Sequence, residues 1–184
     1  MKVKTSRFGE IEANKEDILD FSEGLLGFEQ LKKFSIVDPG DNTLILWLQS
    51  LEDGAIAFPV IEPRIFKPDY SAKLMTNDLT GLELESERAA KIYCILTIPS
   101  DITQMSANLK APVVINSAKK AAKQIVLQDN KLTVKHEMYK DLKKYIVSYS
   151  SNDQKRTNVD NASNSQIASG TINADSARNA ELNK

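Results

Sequence analysis

The chain has 184 residues, 41% of them hydrophobic, which suits one ordinary globular core and a short appendage. Its 24 lysines and arginines stand against 25 acids, so bulk charge points to neither a nucleic-acid groove nor a lipid surface. A single cysteine excludes an intramolecular disulfide and a multi-cysteine zinc cluster, and a single histidine excludes a histidine-rich metal site.

The start, MKVKTSRFGEIEANKED, turns polar within a few residues, and nothing approaches the roughly 18 apolar residues of a membrane span, so a cytoplasmic protein is expected. A strand ending at Phe21 is then joined to one starting near Phe34 through SEGLLGFEQ, a link longer than the usual hairpin turn. Turns in soluble chains are normally written in Gly, Asn, Asp and Pro. Here Gly24 and Gly27 bracket Leu25 and Leu26, and Phe28 follows. The glycines permit backbone angles that strain other residues, so the loop is expected to hold a specified shape. Its three apolar residues must then plug the mouth of a barrel, face a partner, or do both.

The runs FSIVD, TLILWLQSL, AIAFPVIEP, KIYCILTIP and APVVINS are rich in Ile, Leu, Val and aromatics and end in turn residues. They predict a mainly β fold, a small antiparallel barrel-like single domain over residues 1–147 with one or two short helices. Trp47, in the longest apolar run, is expected in the core. Glu52 and Asp53 are expected to end a strand, and Pro59, Pro63, Pro68, Pro99 and Pro112 to sit at or near strand ends, where a missing donor does least harm. TNDLTGLELES predicts a short helix with Asn77 and Asp78 as candidate caps. In LELESE, alternation on a strand would gather Glu83, Glu85 and Glu87 on one face as a compact acidic patch, either a defended sheet edge or a surface for a basic partner. Cys94 reads as a small buried hydrophobe. NSAKKAAKQIVL reads as a turn joining strands at 113–116 and 124–127, with Lys119, Lys120 and Lys123 solvated. His136 reads as an ordinary surface residue. From 148 to 184 the chain is dominated by Ser, Asn and Ala and has too little apolar surface to offset its ordering entropy, so a disordered C-terminal tail is expected.

Catalytic chemistry needs convergent polar groups, and none is legible: no Gly-rich phosphate loop with its lysine, no histidine pair, no cofactor motif. Strand-end acids such as Asp53 and Asp69 leave a small hydrolase as a remote alternative. The residues suit a binding protein better than an enzyme.

Taken in order, RFGEIEA, ILDFSEGLLGFEQ, LWLQSLED with AIAFPVIEP and KPDY, ILTIP, and SANLKAPVVINSAKKAAKQIVL resemble the FliW family of flagellar assembly factors over about 140 residues, with Asn108 inside the last motif. The resemblance implies a non-enzymatic, cofactor-free barrel, monomeric when free, that binds flagellin and the carbon storage regulator CsrA without touching nucleic acid or membrane. In that scheme abundant flagellin occupies the protein, and exported flagellin frees it to capture CsrA and relieve repression of flagellin translation. Leu25, Leu26 and Phe28 are then expected to meet flagellin, and Glu83, Glu85 and Glu87 to meet basic CsrA. A flagellin export chaperone that does not bind CsrA is the alternative.

Overall fold

A computed structural model describes residues 1–40 and 44–145. By contacts the chain divides into Met1–Leu142 and Lys143–Lys184, and of the second unit only residues 143–145 are described, as helix. The tail expected beyond 148 lies outside the described residues.

Every predicted apolar run forms a strand. A hairpin of β1 (Lys2–Thr5) and β2 (Gly9–Glu12) comes first, followed by β3 (Leu19–Phe21), β4 (Lys33–Val37), β5 (Leu46–Ser50) and β6 (Ala57–Ile61). After the short helix α1 (Thr76–Gly81) come β7 (Lys91–Thr97), β8 (Ser106–Ala107), β9 (Val113–Asn116), β10 (Ala121–Gln124) and β11 (His136–Glu137). Residues 139–145 form a second helix. Strands β3, β4, β5, β6, β7, β9 and β10 follow one another around a closed barrel, sealed where β7 pairs with β9 and β10 with β3. Within this seven-strand ring no edge is left to recruit another chain. The barrel is not wholly antiparallel. The pair β3–β10, matching Asp20 with Ala121 and Phe21 with Ala122, is parallel, because the two strands meet across the long crossover that closes the ring.

Alternation along the strands splits the apolar residues into two cores. Leu19, Phe21, Phe34, Leu48, Val60, Val113, Ile115 and Ala122 fill the barrel. The other face of β6, β7 and β9 carries Ile61, Cys94, Leu96 and Val114 into a second cluster with Phe66, Tyr70, Leu82, Met105, Leu109 and Met138. KIYCILTIP is therefore apolar on both faces because it is covered on both.

Several expectations are corrected by this arrangement. Trp47 is not core: Leu46 and Leu48 point inward, which turns Trp47 outward, half-buried under Arg7, 3.8 Å above its ring, and Phe8, packed edge-on at 5.9 Å. The β1–β2 hairpin lies over this face, tied by Ser6 N–H donating to Gly54 O at 3.0 Å. Pro59 lies inside β6, opposite Trp47. Its missing donor is tolerated because the β6–β7 ladder begins one residue later, at Val60 and Ile95. The strand expected at 124–127 is displaced to Ala121–Gln124. Beyond it, the Ile125 and Leu127 amides donate to Pro112 O and Lys110 O at 3.0 and 2.9 Å while both side chains enter the outer core. His136 is half-covered, its ring stacked on Phe66 at 5.9 Å. The helix at 76–81 is as expected; Asp78, three residues in, accepts from the Met75 amide at 3.1 Å, and Asn77 does not cap it.

Candidate functional site

The apolar loop, residues 22–32, connects β3 to β4 and resolves its residues into opposite roles. Leu25 turns inward and is 1% exposed, and Leu31 joins it against the barrel interior. Phe28 is half-buried and packs edge-on against Phe58 at 5.0 Å. Together they stopper this end of the barrel. Leu26 alone points away, 57% exposed.

The loop is held in shape, not merely draped. Gly24 and Gly27 adopt φ of +75° and +83°, the left-handed region. At Gly24 a Cβ would lie 2.7 Å from Glu29 Cα and 2.8 Å from two backbone oxygens, so any side chain there collides with the returning chain. The Phe28 amide donates to Leu25 O at 2.8 Å, and the exposed Leu26 amide donates to Gln124 Oε1 at 3.0 Å, which pins the loop to β10. Glu23 pairs with Lys123 at 2.7 Å. At the far end, Glu52 accepts from the backbone amides of Lys32 and Lys33. Those two hydrogen bonds, chiefly the one from Lys32, hold its carboxyl below the ordinary 4.5. The strand-end acid thus fastens the loop. Asp53 serves its own turn, accepting from the Ala55 amide at 2.9 Å, and Asp69 is paired with Lys67 at 3.0 Å.

The acidic group does not lie on a strand. Alternation in LELESE records Leu82 and Leu84 dipping into the outer core, 2% and 8% exposed, from an irregular segment in which Glu83 has φ +52° and Glu87 opens a helical turn. Glu83 pairs with Lys119 at 2.9 Å, and its carbonyl, with that of Leu82, accepts from the buried amide of Asn116. Glu87 is committed inward: it accepts from Ser71 Oγ at 3.3 Å and the Ala72 amide at 3.2 Å, with Arg64 3.7 Å away. Glu85 is exposed. Asn108 is half-buried, its Oδ1 accepting from the Ala111 amide at 2.9 Å. The sequence-nominated residues therefore form separate patches.

Cys94 is fully buried, and burial pushes its thiol up to about 12, so it is no nucleophile at neutral pH. Among the described residues no group of three or more His, Cys, Asp or Glu is placed to hold a metal ion, and no helix is long and apolar enough to cross a membrane. Sequence reading missed Gln49. Fully buried, its Nε2 donates to the carbonyls of Ser50 and Ile56 at 2.9 and 3.0 Å and staples the β5–β6 turn; a glutamine inside an apolar run was the available signal.

Residues 2–138 match the family model described as FliW protein. The chain is 47% identical over 147 residues to the flagellar assembly factor FliW of Bdellovibrio bacteriovorus, covering 80% of this chain and 84% of that relative. With the flagellar assembly factor FliW of Thermosipho africanus it shares 42% identity over 139 residues, 75% of this chain and 95% of the other. A crystal structure of the flagellar assembly factor FliW superposes with a TM-score of 0.71 at 34% identity, covering 76% of this chain and 97% of that one. An outer strand face capped by a hairpin, a self-stoppered barrel and a shaped loop with an outward leucine are thus assembled on a shared scaffold, and the chain belongs to the FliW family.

Proposed function

We propose that the protein is a cytoplasmic flagellar assembly factor that works by reversible docking, binding flagellin in one state and the regulator CsrA in the other, with no bond made or broken. What supports this reading is family membership together with one geometric fact: Leu26 is presented to solvent from a loop whose backbone is fixed on both sides. An apolar side chain held outward by a fixed loop is pre-organised for a partner, because docking then costs little ordering of the backbone. Leu26 and the outer edge of Phe28 form the flagellin contact; Leu25 supports them from inside. Glu83 and Glu85 offer the residual negative charge for basic CsrA, whereas Glu87 holds its own segment in place.

Titrating flagellin into the complex of this protein with CsrA tests the switch. Stoichiometric release of CsrA is expected, and a stable ternary complex would replace the switch with a scaffold. In the same assay Leu26→Asp is expected to weaken flagellin binding by at least about tenfold, as for a central apolar anchor, with unfolding unchanged. Native affinity in a folded Leu26→Asp protein would remove the loop from the contact. Export-chaperone function without regulation predicts that CsrA does not bind at all.

A further inference from the structure

Strands β1 and β2 form a sheet of their own, apart from the nine-stranded sheet that contains the barrel. The hairpin is organised in itself. Its ladder runs from Lys2 opposite Glu12 to Thr5 opposite Gly9, and the Thr5 hydroxyl closes the turn by donating to Gly9 O and accepting from the Phe8 amide, both at 2.9 Å. None of residues 2–12 belongs to either apolar core, and Thr5 alone among them is buried. To the barrel the hairpin has few ties. Among the described residues its sole backbone hydrogen bond there is the one from the Ser6 amide to Gly54 O, and beyond it stand the contacts of Arg7 and Phe8 with Trp47.

The interface beneath is incompletely filled. A recess of about 450 Å³ separates the hairpin turn from the outer face of β5 and β6, lined there by Gly54, Ala55 and Ala57 beside Trp47 and Gln49. Gln49 is fully buried, and its Oε1 is sealed from solvent without a hydrogen bond from any described residue. Such an acceptor carries its desolvation cost for as long as it stays covered. The seated position is nonetheless specified. Gly54 lies outside the left-handed region, so its turn does not require glycine, yet a Cβ there would stand 2.0 Å from Lys4 O and 3.0 Å from the Lys4 carbonyl carbon. Glycine serves here to let the hairpin backbone approach.

We infer that the hairpin is a lid, a preformed unit that seats on the β5–β6 face and lifts from it while both cores stay folded, baring Trp47 and Gln49. Lifting breaks one backbone hydrogen bond and the contacts of an exposed Arg7 and a half-buried Phe8, each weak alone. In return Gln49 Oε1 is hydrated, and the hairpin keeps its own ladder. A segment with little apolar burial and few ties opens at less than the global cost. The inference is independent of which partner Leu26 meets.

Amide exchange of the full chain tests the lid, because the Ser6 amide is bonded only across the interface. Its protection is expected to lie at least about 100-fold below that of the Phe21 and Asn108 amides, which donate to Lys32 O and Ile95 O within the barrel and its outer sheet. Trp47 is the single tryptophan, so its fluorescence reports the covered face directly. Gly54→Ala should wedge the lid off: Trp47 emission moves to longer wavelength, acrylamide quenches it about twofold more efficiently and Ser6 protection disappears, while Phe21 and Asn108 stay protected. Arg7→Ala, at an exposed position, should lower Ser6 protection about threefold and leave Phe21 and Asn108 unaltered. Ser6 exchanging in step with Phe21 and Asn108 would overturn the proposal, as would unaltered quenching and Ser6 protection in Gly54→Ala. Loss of Phe21 and Asn108 protection together with that of Ser6 in either variant would equally overturn it, by making the hairpin part of the barrel's own folding unit.

Discussion

One end of the barrel is stoppered by the chain itself with Leu25, Phe28 and Leu31, whereas the other has a cleft lined by Tyr93, two lysines and the acids Glu16 and Asp17. The same strands build both ends, so the difference lies in the connections. At the stoppered end residues 22–32 are long enough to fold back over the interior, and Gly24 permits the reversal. At the other end β9 and β10 are joined by residues 117–120, and the long connection 62–90 between β6 and β7 sends its apolar side chains into the outer core instead of over the barrel interior. Where each connection sends its apolar side chains, not strand composition or length alone, decides which end is plugged.

The contrast can be broken most severely from inside the stopper. Leu25→Ala removes a side chain that is 1% exposed and is expected to cost about 3 kcal/mol in chemical denaturation. A loss below about 1 kcal/mol would mean that the stopper is not part of the core. Gly24→Ala, forced into a left-handed backbone against Glu29, is expected to cost about 2 kcal/mol and to broaden the amide signals of residues 22–32. Sharp, unshifted signals would show that the loop has another route home.

A smaller effect concerns pH. Because the Glu52 carboxyl is lower in the folded protein than its ordinary 4.5, the stability it contributes is present above that value and is lost as pH falls through the folded value. Protection of the Lys32 and Lys33 amides, taken against the unfolded-chain exchange rate at each pH, should therefore fall on acidification below about pH 4.5, and Glu52→Gln should flatten that dependence. An unchanged profile would detach Glu52 from the loop's closure. Smallest of all, Tyr93→Phe at the other end is expected to alter stability by less than about 0.5 kcal/mol, because its hydroxyl has no hydrogen-bond partner among the described residues. A larger loss would mean that this end is structurally committed after all.

The amino-acid sequence by itself settled the strand-forming runs, the short helix at 76–81, the burial of Cys94 and the special geometry of the loop at Gly24 and Gly27. These depend on local quantities: side-chain period, turn chemistry and backbone freedom. It put Trp47 in the core, Pro59 at a strand end and LELESE on a strand, and the structure corrected all three. When a strand is covered on both sides, apolar residues fall on both faces and alternation no longer says which face is the interior. Tertiary structure alone closed the ring through the parallel β3–β10 pair, turned Leu25 in and Leu26 out, spent Glu87 on Arg64 and Ala72, and gathered Lys91, Tyr93 and Lys120 with Glu16 and Asp17 at one cleft. Those outcomes come from contacts between segments distant along the chain, whose register is set by barrel closure and not by any window of residues.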